Sequence, residues 1–204
     1  MTQKGFTLAE LIVVIGVMAI LGAIITDVFS RSLRGGNKAQ IIASIKQNGT
    51  LALDLMDKVI KGSDQVVCPV FLPFENSKGS DTLAVIKGGK YTRFRYKIPG
   101  GGSNNYIVSD NPVLPTGMDQ ENFLTSLCTS AWEDGSFQSI ITDTNTRSGV
   151  SLFVPPDNIV IRERKAGFKD TVTINFKLGP GLAAPASLAG QIDPVAFTTT
   201  INLR

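Results

Sequence analysis

The chain changes its hydrophobic pattern twice. Residues 6–25 are apolar except for Thr7, Glu10 and the small Gly16 and Gly22, and residues 11–25 run for 15 positions without a charge. Twenty helical residues rise about 30 Å, roughly the hydrocarbon thickness of a bilayer, so this stretch is predicted to be a membrane-spanning helix. Further on, Ile41, Ile45, Ala52, Met56 and Val59 fall near one helical face, flanked by Ile42, Leu55 and Ile60. Lys46, Gln47, Asp54, Lys58 and Lys61 lie opposite, which predicts an amphipathic half-helix that packs on a sheet. Arg34-Gly35-Gly36-Asn37 predicts a weak point or break between the two stretches, because paired glycines cost helix stability. Gly62 is expected to end the helix.

Downstream the period becomes two. Thr92, Phe94, Tyr96 and Ile98 alternate with Arg93, Arg95 and Lys97, which predicts a strand with one wet face. Further strands are expected over residues 82–86, 106–109, 137–142, 150–154, 158–162, 171–178 and 196–203. The Gly-rich residues 99–105 and the Ala/Gly/Pro-rich residues 179–194 read as exposed loops, the second long enough to be mobile. One long N-terminal helix followed by runs of strands predicts an α+β fold, with part of the helix laid on an antiparallel β-sheet head.

Composition removes chemistry more than it adds any. The chain of 204 residues has no histidine, and so lacks the commonest general base and metal ligand. Cys68 and Cys128 are too few for a Cys-only zinc site and are not spaced as CxxC, which leaves a disulfide as the alternative. The formal charge of +3 is spread without a basic block, so charge names no partner. A secretory signal would carry a small-residue cleavage motif after the apolar run, where Ile24-Ile25-Thr26-Asp27 is a poor one. The hydrophobic helix is therefore expected to stay in the mature protein. Glu10, one turn inside that helix, is costly in lipid and calls for a partner or for snorkelling to the headgroups.

Lys4-Gly5-Phe6-Thr7-Leu8-Ala9-Glu10-Leu11, followed by the apolar run, closely resembles the class III leader of type IV pilins and type II secretion pseudopilins. The resemblance implies cleavage by a prepilin peptidase between Gly5 and Phe6, and N-methylation of Phe6. It also implies that Glu10 sets the register of assembly by pairing with a neighbouring subunit's N-terminal amine. Removing Lys4 with the leader would take the formal charge from +3 to +2. Packing of the apolar helices, with Gly16, Ala19, Gly22 and Ala23 allowing close approach, would supply most of the cohesion.

The implied layout is a leader over residues 1–5, a transmembrane and filament-core helix over 6–29, an amphipathic half over 30–62 and an extracytoplasmic head over 63–204. Arg31, Arg34 and Lys38 outnumber Lys4, and a simple positive-inside count gives the opposite topology. The leader is weighted over that count because large domains translocate largely regardless of charge. With the head outside the cytoplasm, a disulfide between Cys68 and Cys128 is favoured over two buried thiols.

The expected function is that of a structural subunit of a type IV pilus or type II secretion pseudopilus. The later helix and residues 197–204 resemble J-type or PilW-like minor subunits more loosely. Retention of Glu10 argues against the K-type tip subunit, and residues 6–61 contain no proline of the kind that kinks many major pilins. Partners would be other pilin or pseudopilin subunits, the peptidase and a membrane assembly platform. No cofactor and no metal are expected. The alternatives are a filament-displayed adhesin or DNA-uptake receptor, and a membrane-tethered extracytoplasmic enzyme.

Tyr91-Thr92-Arg93-Phe94-Arg95-Tyr96-Lys97 interleaves bases and aromatics as single-strand nucleic-acid grooves do, but opposed faces cannot easily grip one strand, so nucleic acid is not expected and a solvated cationic face is. Asp119-Gln120-Glu121 and Asp143-Thr144-Asn145 lack the spacing of a calcium loop and read as solvated loop charges.

Overall fold

A computed structural model describes residues 7–71, 75–129, 138–153, 158–164, 166–185 and 190–203. The chain forms two compact units, residues 1–40 and residues 41–204. Helix α1 (Leu8–Lys61) begins in the first and ends in the second. It is continuous through Gly35 and Gly36, so the expected break is absent. The two glycines weaken the helix but leave its hydrogen-bond ladder able to form, and a Cβ at either would meet nothing within 4 Å.

In the second unit α1 buries Ile45, Gly49, Ala52, Met56 and Ile60, a run of spacings of three and four that keeps one face inward. Leu55, expected to flank that face, is exposed. The head has two antiparallel sheets rather than one. In the first, the order is β1 (Gln65–Cys68), β3 (Thr82–Lys87), β4 (Lys90–Lys97), β5 (Tyr106–Asp110) and β6 (Ser139–Ile140). In the second it is β10 (Val195–Asn202), β9 (Thr171–Pro180), β8 (Val160–Glu163) and β2 (Ser77–Ser80), with β7 (Val150–Phe153) also paired to β9. Gly88 and Gly89, both at positive φ (54° and 76°), make the two-residue turn between β3 and β4.

The main core joins Ile45, Met56 and Ile60 of α1 to Leu83, Val85, Phe94 and Tyr96 of the first sheet and Val172, Ile174 and Phe176 of the second. A second, smaller cluster gathers Cys68, Ala84, Phe123 and Leu127 beneath helix α2 (Gln120–Leu127). Asp119, read as a solvated loop charge, is the N-cap of α2 and accepts from the Asn122 N–H at 2.9 Å. Asp143 and Asn145 also spend their oxygens locally, on the backbone N–H groups of Asn145 and of Arg147 and Ser148.

Strand β4 corrects the sequence reading most sharply. Arg93 and Arg95, expected on a wet face, are 0% and 1% exposed. Phe94 and Tyr96 face the main core, so β4 is covered on both sides. The glycine-rich loops are less free than expected as well. Asn104 is buried and bridges two other segments: its amide donates to the Asn145 carbonyl at 2.9 Å, and its carbonyl accepts from the Leu182 N–H at 2.8 Å. Gly179 and Pro180 extend β9, and Ala184 and Ile192 are buried.

Candidate functional site

The first described turn of α1 makes a reciprocal cap. The Thr7 N–H and hydroxyl each donate to Glu10 Oε2 at 2.9 Å, and the Glu10 N–H donates to Thr7 Oγ1 at 3.3 Å. The Leu11 N–H closes the turn on the Thr7 carbonyl at 3.2 Å. This is the capping-box arrangement, in which a hydroxyl residue and a carboxylate three positions later satisfy each other's backbone donors. Thr7-Leu8-Ala9-Glu10 carries that signature in the sequence, so Thr7 shares the role expected of Glu10 alone. The helix N-terminus also bears partial positive charge that favours a carboxylate.

Beyond this turn Leu11, Ile12, Val13, Val14, Ile15, Val17 and Met18 are all at least half exposed. Among the described residues α1 is the one helix long and apolar enough to cross a membrane, and its most apolar window is unburied. A Cβ at Gly16 or Gly22 would meet nothing within 4 Å. The first charged landmark after the run is the exposed Asp27–Arg31 pair, 3.0 Å apart and one turn along the helix. The segment is a self-hydrogen-bonded rod with an apolar circumference and one carboxylate at its start, suited to lipid or to other such helices. Gly5 and Phe6, the expected cleavage and methylation residues, lie outside the described residues.

In the head the structure bonds Cys68 to Cys128, with Cα atoms 5.3 Å apart, tying the end of β1 to the C-cap of α2. Beside it lies a buried charge cluster that sequence reasoning missed. Arg93 Nε and Nη2 donate to Asp110 Oδ1 and Oδ2 at 2.9 and 2.8 Å, Arg95 Nη2 also donates to Oδ2, and Arg93 Nη1 reaches the Leu127 carbonyl at 3.3 Å. Burial, with repulsion from Arg95 and Arg93, pulls the Lys97 ammonium below its ordinary value, against the pull of Asp110. The register sets Asp110 on β5 opposite Arg93 on β4, a pairing that no local sequence pattern carries. Such guanidiniums cannot present themselves to a nucleic-acid strand.

A second half-buried pair joins Arg162 to Asp170, with Nε donating to Oδ2 at 2.8 Å, and Arg162 Nη1 donates to the Pro69 carbonyl at 3.1 Å. Arg162 and Arg164 both lie over the Phe71 ring, 4.9 and 4.5 Å from its centroid. Among the described residues no group of three or more Cys, Asp and Glu is placed to hold a metal ion.

Residues 1–26 match the family model of the prokaryotic N-terminal methylation motif. No curated protein and no solved structure matches the chain.

Proposed function

From the match of residues 1–26 to the prokaryotic N-terminal methylation motif we propose that this chain is a subunit of the type IV pilin and pseudopilin family, and a minor subunit of a type IV pilus or type II secretion pseudopilus. In this reading prepilin peptidase cuts between Gly5 and Phe6, and the new Phe6 amine is methylated. The apolar part of α1 holds the subunit in the cytoplasmic membrane with its head outside the cytoplasm. An assembly platform then moves that helix from lipid into the fibre.

The observation that carries the reading is an apolar helical surface exposed along its length and interrupted by one carboxylate. A lone carboxylate among lipid tails is costly. The Thr7 cap reduces that cost within the subunit by donating two hydrogen bonds to the carboxylate. A neighbour's Phe6 amine would add the missing positive charge at one axial register. The pair acts as a specificity device more than as glue, because desolvation offsets much of the Coulombic gain.

The reading is of a structural subunit rather than an enzyme. Display of a DNA-uptake receptor would need a cationic surface other than Arg93 and Arg95, which are buried. The test is incorporation into fibres of Glu10→Gln and, separately, of a Gly5 variant that the peptidase cannot cut. Both should remain in the membrane fraction, and mass spectrometry of wild-type fibres should find methylated Phe6 at the N-terminus. Wild-type incorporation of both variants would overturn the reading.

A further inference from the structure

Helix α1 leaves its apolar run through a stretch of unbalanced charge. From Leu11 to Leu53 it carries one acid, Asp27, and four bases, Arg31, Arg34, Lys38 and Lys46. Spacings of four, three and four set Asp27, Arg31, Arg34 and Lys38 on one helical face. Asp27 holds Arg31 Nε at 3.0 Å, and both side chains are exposed. Arg34 has Ser30, Arg31, Asn37 and Lys38 as its neighbours one turn away, and Lys38 has Arg34, Gly35, Ile41 and Ile42. Neither base therefore has a carboxylate within one turn of the helix.

Like charges three or four residues apart destabilise a helix. Arg31 with Arg34 and Arg34 with Lys38 are such pairs, and they bracket Gly35 and Gly36, where helix propensity is lowest. The helix is nonetheless continuous there. A negatively charged surface beside this face would replace the repulsion with attraction, and the position supplies one. At 1.5 Å per residue, Arg31, Arg34 and Lys38 stand about 9, 14 and 20 Å beyond Ile25, and a headgroup layer is about 5–7 Å deep. Side chains on a helix lean towards its N-terminus, here towards the apolar run, and these bases carry their charge on long stems. The two arginines reach the headgroup phosphates, and the Lys38 ammonium comes within a Debye length, about 8 Å, of their charge.

We propose that Arg31, Arg34 and Lys38 bind the headgroups of anionic phospholipids in the leaflet through which α1 leaves the membrane. Asp27 takes Arg31 through Nε, which leaves the terminal guanidinium nitrogens to donate to a phosphate. Arg34 has its whole planar fork for the two parallel hydrogen bonds that a phosphate accepts. Each base near a charged membrane surface contributes a factor of about five in binding. Asp27 opposes the anion and keeps the site weak, so that a held lipid exchanges and does not lock the helix in the bilayer. The inference rests on the membrane-spanning reading of α1 and is independent of assembly into fibres.

The test places the full chain in nanodiscs of equal phosphatidylglycerol and phosphatidylcholine with matched acyl chains, and native mass spectrometry of the released protein counts each retained lipid. Wild type should retain phosphatidylglycerol preferentially, and less so as salt rises. The triple variant Arg31→Gln, Arg34→Gln, Lys38→Gln should lose that preference by about fivefold or more. Asp27→Asn should strengthen it, and Lys46→Gln, farther along α1, should leave it unchanged. Hydrogen exchange of residues 31–40 gives a second readout: it should be slower in phosphatidylglycerol discs than in phosphatidylcholine discs for wild type, and equal in both for the triple variant. Equal retention of the two lipids by wild type, or an undiminished preference in the triple variant, would overturn the proposal. So would protection of residues 31–40 by soluble glycerol phosphate in phosphatidylcholine discs to the same degree, which would assign the face to free phosphate. Flotation with vesicles of phosphatidylcholine alone tests the anchor separately. A chain that floats but shows no lipid preference refutes this site and leaves the membrane span standing.

Discussion

Asp110 has both oxygens committed, Oδ1 to Arg93 and Oδ2 to Arg93 and Arg95, at 1% exposure. Removing one member of a buried ion pair costs far more than removing a surface pair, because the remaining charges stay desolvated. Asp110→Asn is therefore expected to destabilise the head by about 3–5 kcal/mol, measured by denaturant unfolding followed by near-ultraviolet dichroism. Lys78→Ala, which breaks a more exposed pair, should cost about 1 kcal/mol or less. A small loss at Asp110 would mean that water reaches the cluster.

Asp119 permits a test with a defined sign. The Asn122 N–H that it caps holds its carboxyl below the ordinary value of 3.8. A carboxyl depressed in the folded state contributes stability that is present above its unfolded value and lost as pH falls through the folded one. Asn is as good an N-cap and does not titrate. Between pH 5 and the acid limit, Asp119→Asn should thus lose less melting temperature than wild type does. Parallel losses would show that the cap carries no pH-dependent stability.

At the scale of elements, two glycines in one helix should respond with opposite signs. A Cβ on Gly49 would sit 2.2 Å from the Phe197 ring, whereas one on Gly35 would meet nothing within 4 Å. Gly35→Ala should stabilise by roughly 0.5–1 kcal/mol through helix propensity alone. Gly49→Ala gains the same term but must displace a buried ring that stacks on Phe176, and overpacking typically costs about 1–3 kcal/mol. Pairing it with Phe197→Leu should recover part of the loss. Thermal unfolding of the three variants checks the sign of each.

The same element shows what the sequence could disclose. Spacings of three and four made Ile45, Ala52 and Met56 legible as an inward face, because helical periodicity is a local property. Gly49 was not legible, since its need for smallness comes from Phe197, far along the chain. Strand β4 was readable by its period of two, but charge on alternate positions is read as solvent-facing unless a partner is known. Asp110 and α2, which cover that face, are joined to it only by tertiary structure. The helix α2 itself announced little: Phe123 and Leu127, one turn apart, are its buried residues, and its capping Asp119 has no sequence feature that separates it from a loop charge.

Across the whole head, the Cys68–Cys128 bond closes a loop with a separation of 60 residues that spans β2 to β5 and α2. In the chain-entropy model, a loop of that size stabilises the folded state by about 4 kcal/mol through the unfolded ensemble, less any native strain. The bond should also act locally, because it pins the C-cap of α2 where Leu127 accepts from Arg93. The two effects separate by hydrogen exchange. If the bond works only through the unfolded chain, reduction should lower protection equally for amides of both sheets that exchange by global unfolding. If it also holds α2 down, reduction should speed exchange in α2 and around Arg93 well before β9 and β10 respond. The geometry favours the second outcome: the cluster under α2 contains only four fully buried side chains, one of them Cys68 itself, and the other apolar groups packed against it, Val67, Tyr91, Met118, Leu124 and Cys128, are partly exposed. Leu127→Ala in the oxidised protein should reproduce that local loosening while leaving β9 and β10 protected. Uniform acceleration in both cases would show that α2 opens only with the whole head.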